Sequence, residues 1–193
     1  MEALCRTGDT IHITRVVLTG SESVGKTTLA HDLAAHFGVL VVEEFVRDYA
    51  VHKGAPLTYL DHRAIAEGQM AREDAAHAEA VLRGDHLLIG DTDLISTVVY
   101  HHHYYGKCPL YIEAAAKARR ADHYLLLDTD VPWVADGVRD REQQRSEVQS
   151  LFQATLTQFD APFSVISGPW ASRFAEAAHI INTRFPAAQK KLR

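Results

Sequence analysis

Cysteine is nearly absent. Cys5 and Cys108 are the only two in 193 residues, too few and too far apart for a disulfide framework or a zinc site. Long apolar runs are missing as well: none approaches membrane-spanning length, and Met1 to Thr10 holds no signal-peptide core. A cytoplasmic location is therefore expected. Basic charge is also short, with 20 Lys and Arg against 25 Asp and Glu and a formal net charge of −5. That balance argues against a nucleic-acid partner, which calls for a net basic face. No repeat, linker or low-complexity tract interrupts the chain. What remains is 47% hydrophobic content, enough for one good core. The expectation is a single domain over 1–193, with residues 1–10 and 186–193 as flexible ends.

Short apolar runs alternate with amphipathic stretches. Ile13 to Leu18, Val39 to Val42, Leu87 to Ile89, Tyr124 to Leu127 and Phe163 to Ile166 read as five buried strands. Between them, Thr27 to Phe37 places Leu29, Leu33 and Phe37 on one helical stripe, closed by Gly38. Thr58 and Asp61 have the spacing of a capping box and open a long helix ending near Leu82. Further helices are predicted over 94–103, 109–120, 147–159 and 171–181. This alternation predicts an α/β fold: a mostly parallel five-stranded sheet with helices on both faces. Right-handed crossovers then bring the carboxyl ends of the strands to one edge, where ligands bind.

The chemistry concentrates after the first strand. Gly20-Ser21-Glu22-Ser23-Val24-Gly25-Lys26-Thr27 matches the P-loop pattern in full and runs on into Thr28. Its glycines let the backbone curl around a phosphate, its N–H groups turn inward, and the new helix offers its positive end. Residues 20–28 are thus expected to bind ATP or a related triphosphate. Lys26 would meet the β- and γ-phosphates, and the Thr27 hydroxyl would ligate Mg²⁺. A chance match would require both the preceding strand and the following helix to be coincidences.

Carboxylates cluster on the same predicted edge. Asp91 ends the third strand, where P-loop proteins hold an acid that supports the magnesium shell, so it is a candidate catalytic and metal residue. Asp93 fits two readings, acceptor binding or the cap of the next helix. Glu43 and Glu44 end the second strand, followed by Arg47 and Asp48. One of the two glutamates faces inward by alternation, and Glu44 is the candidate to orient or deprotonate an acceptor hydroxyl. Arg139, Arg141 and Arg145 follow the fourth strand, where a segment closing over the P-loop would fall. At least one of them is expected to stabilise charge on the transferred group, against a reading as a charged helix with Glu142 and Glu147 as surface partners. His101, His102 and His103 invite a metal reading, but consecutive helical residues point about 100° apart. They read as a helix end. Met70, Trp170 and Phe174 read as packing.

Together these residues resemble the ribosylnicotinamide kinase domain of the bacterial NadR family, over about Thr14 to Arg184. The likeness rests on Gly20–Thr28, Glu44 with Arg47, and Asp91-Thr92-Asp93 with Ile95-Ser96-Thr97. Tyr105-Gly106-Lys107, Trp133 with Asp136-Gly137 and Arg139, and the Gln/Arg-rich stretch to Arg145 complete it. The resemblance implies transfer of the ATP γ-phosphoryl to the 5′-hydroxyl of nicotinamide riboside. It sets Asp91 and Glu44 around that hydroxyl and the magnesium, and Arg139 and Arg145 over the phosphates. It also implies an acceptor site including Glu43, Glu44, Arg47, Asp91, Asp93 and Trp133. Members of the family carry a tryptophan just before the glutamate of the second strand, and here Glu43 stands there. The bifunctional members also carry an adenylyltransferase domain upstream. The residues before Ile11 are too few to hold it, so a monofunctional kinase is expected. Two alternatives stay open: a kinase for another nucleoside-like metabolite, and an ATP-binding regulatory module with no small-molecule acceptor. A GTPase is disfavoured, since no Asn-Lys-x-Asp motif follows any strand.

Overall fold

The computed structural model describes residues 12–131 and 145–186. Five strands form one sheet in the order β2-β3-β1-β4-β5, and every pairing is parallel. In chain order, β1 (Thr14–Thr19) leads to α1 (Lys26–Phe37), β2 (Val41–Val42), α2 (Phe45–Lys53) and α3 (His62–Arg83). Then come β3 (Leu87–Asp91), α4 (Leu94–Tyr105), α5 (Leu110–Ala118) and β4 (His123–Leu127). The last elements are α6 (Arg145–Gln158), β5 (Phe163–Ile166) and α7 (Trp170–Arg184). No helix among the described residues is long and apolar enough to cross a membrane.

Strand alternation sorts the core into two layers. Val16 and Leu18, Leu87 and Ile89, and Leu125 and Leu127 pack with Leu29 and Leu33 of α1 and Ile181 of α7. Val17, Tyr124 and Leu126 face the other way, onto α4, α5 and α6 through Val98, Ile112 and Phe152. A smaller cluster of Val42, Leu88 and Ala80 seats α3 beside the short β2. Helices on both faces leave the central strands β1, β3 and β4 buried on both sides, which is why these segments read as continuous apolar runs.

The α/β fold expected from the sequence is the one observed. Its boundaries shift for local reasons. The Val39 N–H bonds back to the Ala34 carbonyl, so residue 39 closes α1 and β2 shrinks to two residues. The Thr58–Asp61 capping box forms, but it opens a short 3-10 turn over Tyr59–Asp61, and α3 starts only at His62. Helix α2 is not among the predicted helices: it spans only nine residues and buries none of them fully, and its stripe of Phe45, Val46, Tyr49 and Ala50 is half-buried. Strand order reverses at β1, with β3 on one side and β4 on the other. The loop after β1 therefore lies at the topological switch point.

Candidate active site

The P-loop takes the shape its sequence demands. Gly20 has φ of +130°, and a Cβ there would stand 2.8 Å from the Leu127 carbonyl oxygen. Gly25 has φ of +86°, and its Cβ would fall 2.6 Å from the Trp170 ring. Only glycine fits either position. Ser23 adopts a left-handed φ of 54° between them, and Val24 anchors the loop in the core. Ser21 is buried, Glu22 is half-buried, and Thr28 is exposed on the first turn of α1. The Lys26 ammonium donates to the Gly20 and Ser21 carbonyls at 3.0 and 2.7 Å. It thus stands within the loop, where a phosphate would meet it.

Asp91 lies beside this loop. Its Oδ2 accepts the Thr27 hydroxyl at 2.7 Å, while Oδ1 is buried without a hydrogen-bond partner. Burial raises its pKa, the Thr27 hydrogen bond opposes that, and the nearby Glu44 charge raises it further. Lys26 and Arg47 pull it the other way, so all four groups converge on one carboxylate. A buried acid with an unused oxygen, tied to the P-loop hydroxyl, fits a hard cation with oxygen ligands. Thr27 and Asp91 are the residues that would hold magnesium.

Glu43 and Glu44 separate as alternation requires. Glu43 turns to α1 and pairs with His31 at 3.1 Å, about half exposed. Glu44 is more buried, ends the turn into α2, and pairs with Arg47. Of the two readings for Asp93, the structure realises the cap. Its Oδ1 accepts from the Ile95 N–H at 2.9 Å and its Oδ2 from the Tyr124 hydroxyl at 2.6 Å. Tyr124 belongs to β4, so this bond ties Asp93 to the sheet. Both its oxygens are engaged there, and it is 4% exposed. Arg145 is buried at the start of α6, donates to the Val131 carbonyl at 3.0 Å, and lines a narrow cleft with Ser21 and Glu22. Trp133, Asp136, Gly137, Arg139 and Arg141 lie outside the described residues, as do Cys5 and residues 187–193.

The histidine run diverges. His101 bonds to the Thr97 carbonyl, His102 pairs with Glu113, and His103 packs on the Tyr104 ring. Two side chains at the loop escaped the sequence reading. Gln149 accepts from the Ser21 N–H and donates to the Leu127 carbonyl, bracing the loop against β4. Arg173 reaches the loop from α7. Neither belongs to a motif. Trp170, read as packing, does pack on Gly25, yet 39% of it stays exposed.

The AAA domain family profile matches residues 15–173, most of the chain and all of this site. The chain belongs to the AAA domain family. Among its relatives, this AAA domain is 31% identical over 173 residues to the trifunctional NAD biosynthesis/regulator protein NadR of Escherichia coli. It is 30% identical to NadR of Salmonella typhimurium. Each match covers 86% of this chain and 41% of the relative, so the chain spans about two fifths of the length of those proteins. Solved structures share the fold. NadR protein in complex with NAD and AMP-PNP superposes with a TM-score of 0.74 at 22% identity, over 89% of this chain and 49% of that one. NadR protein in complex with NR gives 0.76 at 21% identity, over 89% and 50%. Thymidylate kinase from Ehrlichia chaffeensis gives 0.66 at 15%, over 88% and 99%. The fold is shared with these structures, and the NadR resemblance drawn from the motifs holds.

Proposed function

We propose that this protein is an ATP-dependent kinase that phosphorylates the 5′-hydroxyl of nicotinamide riboside. The observation that carries this reading is Asp91, buried at the end of β3 and bonded to the P-loop hydroxyl, with the Glu44 charge near enough to raise its pKa. A pure nucleotide-binding module has no need of a second carboxylate there. The relatives support the acceptor: they are NAD biosynthesis proteins, and one solved neighbour holds NR.

In this reading the P-loop N–H groups and Lys26 bind the β- and γ-phosphates. Thr27 and Asp91 would hold a magnesium ion, which would supply charge neutralisation on those phosphates. Glu44 orients the acceptor hydroxyl and takes its proton as the oxygen bonds to the γ-phosphorus. The bond from the γ-phosphorus to the β–γ bridging oxygen breaks, ADP leaves, and the mononucleotide remains. Arg145, which lines the cleft with Ser21 and Glu22, offsets the charge spread over the equatorial oxygens of the transferred group, a role the family resemblance also implies for Arg139. Glu44 and the half-exposed Glu43 make the rim acidic, which suits an acceptor with a positively charged ring.

The test is a comparison of kcat/KM for nicotinamide riboside, uridine and adenosine with ATP and Mg²⁺. Nicotinamide riboside is expected to lead. Glu44→Gln and Asp91→Asn should lower kcat, and Glu43→Gln should raise the acceptor KM. Uridine or adenosine turning over faster would refute the acceptor and leave the kinase standing.

A further inference from the structure

Arg173 is fully buried, at 0% exposure, and the chemistry above makes no use of it. Its guanidinium reaches three loops of the ligand edge at once. Nε donates to the Gly168 carbonyl at 2.8 Å, one terminal nitrogen to the Val24 carbonyl at 3.2 Å, and the other to the Asp128 carbonyl at 3.0 Å. The same nitrogen pairs with Asp130, whose second oxygen accepts the Gly168 N–H at 2.6 Å. The P-loop, the chain leaving β4 and the turn after β5 therefore share one buried cation.

The Val24 bond is the informative one. A loop that turns its N–H groups toward an anion turns carbonyls outward, and each buried carbonyl needs a donor. Val24 is 1% exposed, so water does not reach it well, and it directly precedes Gly25 and Lys26. Arg173 supplies the donor from behind. Its planar fork cannot lose its proton and can meet several acceptors together, which a lysine cannot do. The first turn of α7 is held to the same corner by the Trp170 ring against Gly25.

We propose that Arg173 is a positioning residue for nucleotide binding: it holds the Val24–Gly25 corner in the shape that receives the phosphates. This rests on the nucleotide reading of the P-loop. The test is isothermal titration of the full chain with Mg-ATP and with Mg-tripolyphosphate, for the unaltered protein, Arg173→Met and Arg173→Lys. Ile181→Ala, deep in the core on the same helix, controls for destabilisation alone. Both arginine variants should weaken both ligands by about tenfold or more, the scale of a lost charge-assisted hydrogen bond. Ile181→Ala should lower Tm and leave both Kd values within twofold. Should Arg173→Met fail to fold, Arg173→Lys decides. The proposal is overturned if the folded arginine variants bind both ligands normally. It is also overturned if only ATP weakens, which would tie the residue to the nucleoside part of the ligand and not to its phosphates, or if Ile181→Ala weakens binding equally. An unaltered protein that binds neither ligand would instead overturn the nucleotide reading, and the inference with it.

Discussion

Lys26 and Glu73 are both buried charged groups, and they illustrate opposite uses of burial. Lys26 bonds to two loop carbonyls, and a phosphate is the anion its position is built for. Lys26→Ala should therefore remove nearly all phosphoryl transfer while the circular dichroism remains that of the folded protein, with Tm lowered by the two carbonyls left without their donor. Normal turnover in the folded variant would contradict the P-loop assignment. Glu73 sits away from the site, between Gln69, Arg15 and Arg119. Burial pushes its pKa up to about 7 and the nearby Asp93 adds to this, while Arg15 and Arg119 oppose it. The folded state thus prefers the protonated acid. Its contribution to stability is full below the ordinary value near 4.5 and is lost as pH rises through 7. One pKa unit is about 1.4 kcal/mol, so the effect is on the order of 3 kcal/mol. Glu73→Gln should gain stability relative to the unaltered protein between pH 5 and pH 8 in urea denaturation. Parallel pH profiles for the two proteins would refute the assignment.

At the scale of elements, α2 carries the Glu44 side of the site yet buries none of its own residues. It is held from outside. The Phe45 N–H donates to Gln69 at 2.9 Å, Arg72 bonds to the Glu44 carbonyl and to Asp48, and its guanidinium lies 5.1 Å from the Phe45 ring centre. A Cβ on Gly68 would stand 2.2 Å from that ring, so glycine makes the notch into which Phe45 packs. In a free helix, Gly→Ala would stabilise by about 1 kcal/mol. Here overpacking, typically costing about 1–3 kcal/mol, wins, and the ring must move. Gly68→Ala should raise the acceptor KM and lower kcat while the ATP KM changes little. A rise in the ATP KM alone would contradict this role for α2.

The same element shows where the sequence could be read and where it could not. The strands, α1 and the P-loop announce themselves through apolar runs and a glycine pattern that allows one backbone path. Asp91 was legible because a strand end fixes where a carboxylate points. Helix α2 was not, since a nine-residue helix with only a half-buried stripe gives a short, weak signal, and nothing in the sequence marks Gly68 as the notch for Phe45. Asp93 had two readings that only the Tyr124 contact separates. Arg173 was invisible because an arginine on an amphipathic helix reads as surface; its burial depends on three loops that converge only in three dimensions.

For the whole molecule, the sheet places the P-loop at the switch point, with Asp91 and Glu44 on one side and the turn after β5 on the other. A nucleotide and an acceptor can then meet across the loop from opposite sides. The carboxylates lie on the β2–β3 side of the loop, and the Arg173 cluster braces its β4–β5 side. The account thus separates two classes of variant. Changes at Glu43, Glu44 and Gly68 should act through the acceptor, and changes at Lys26 and Arg173 through the nucleotide. The most direct test of the central claim is mass analysis of nicotinamide riboside incubated with the protein, ATP and Mg²⁺. The account predicts a mass gain of one phosphate, in step with ADP release and absent with Lys26→Ala. ADP release without any mass gain on the riboside would contradict it.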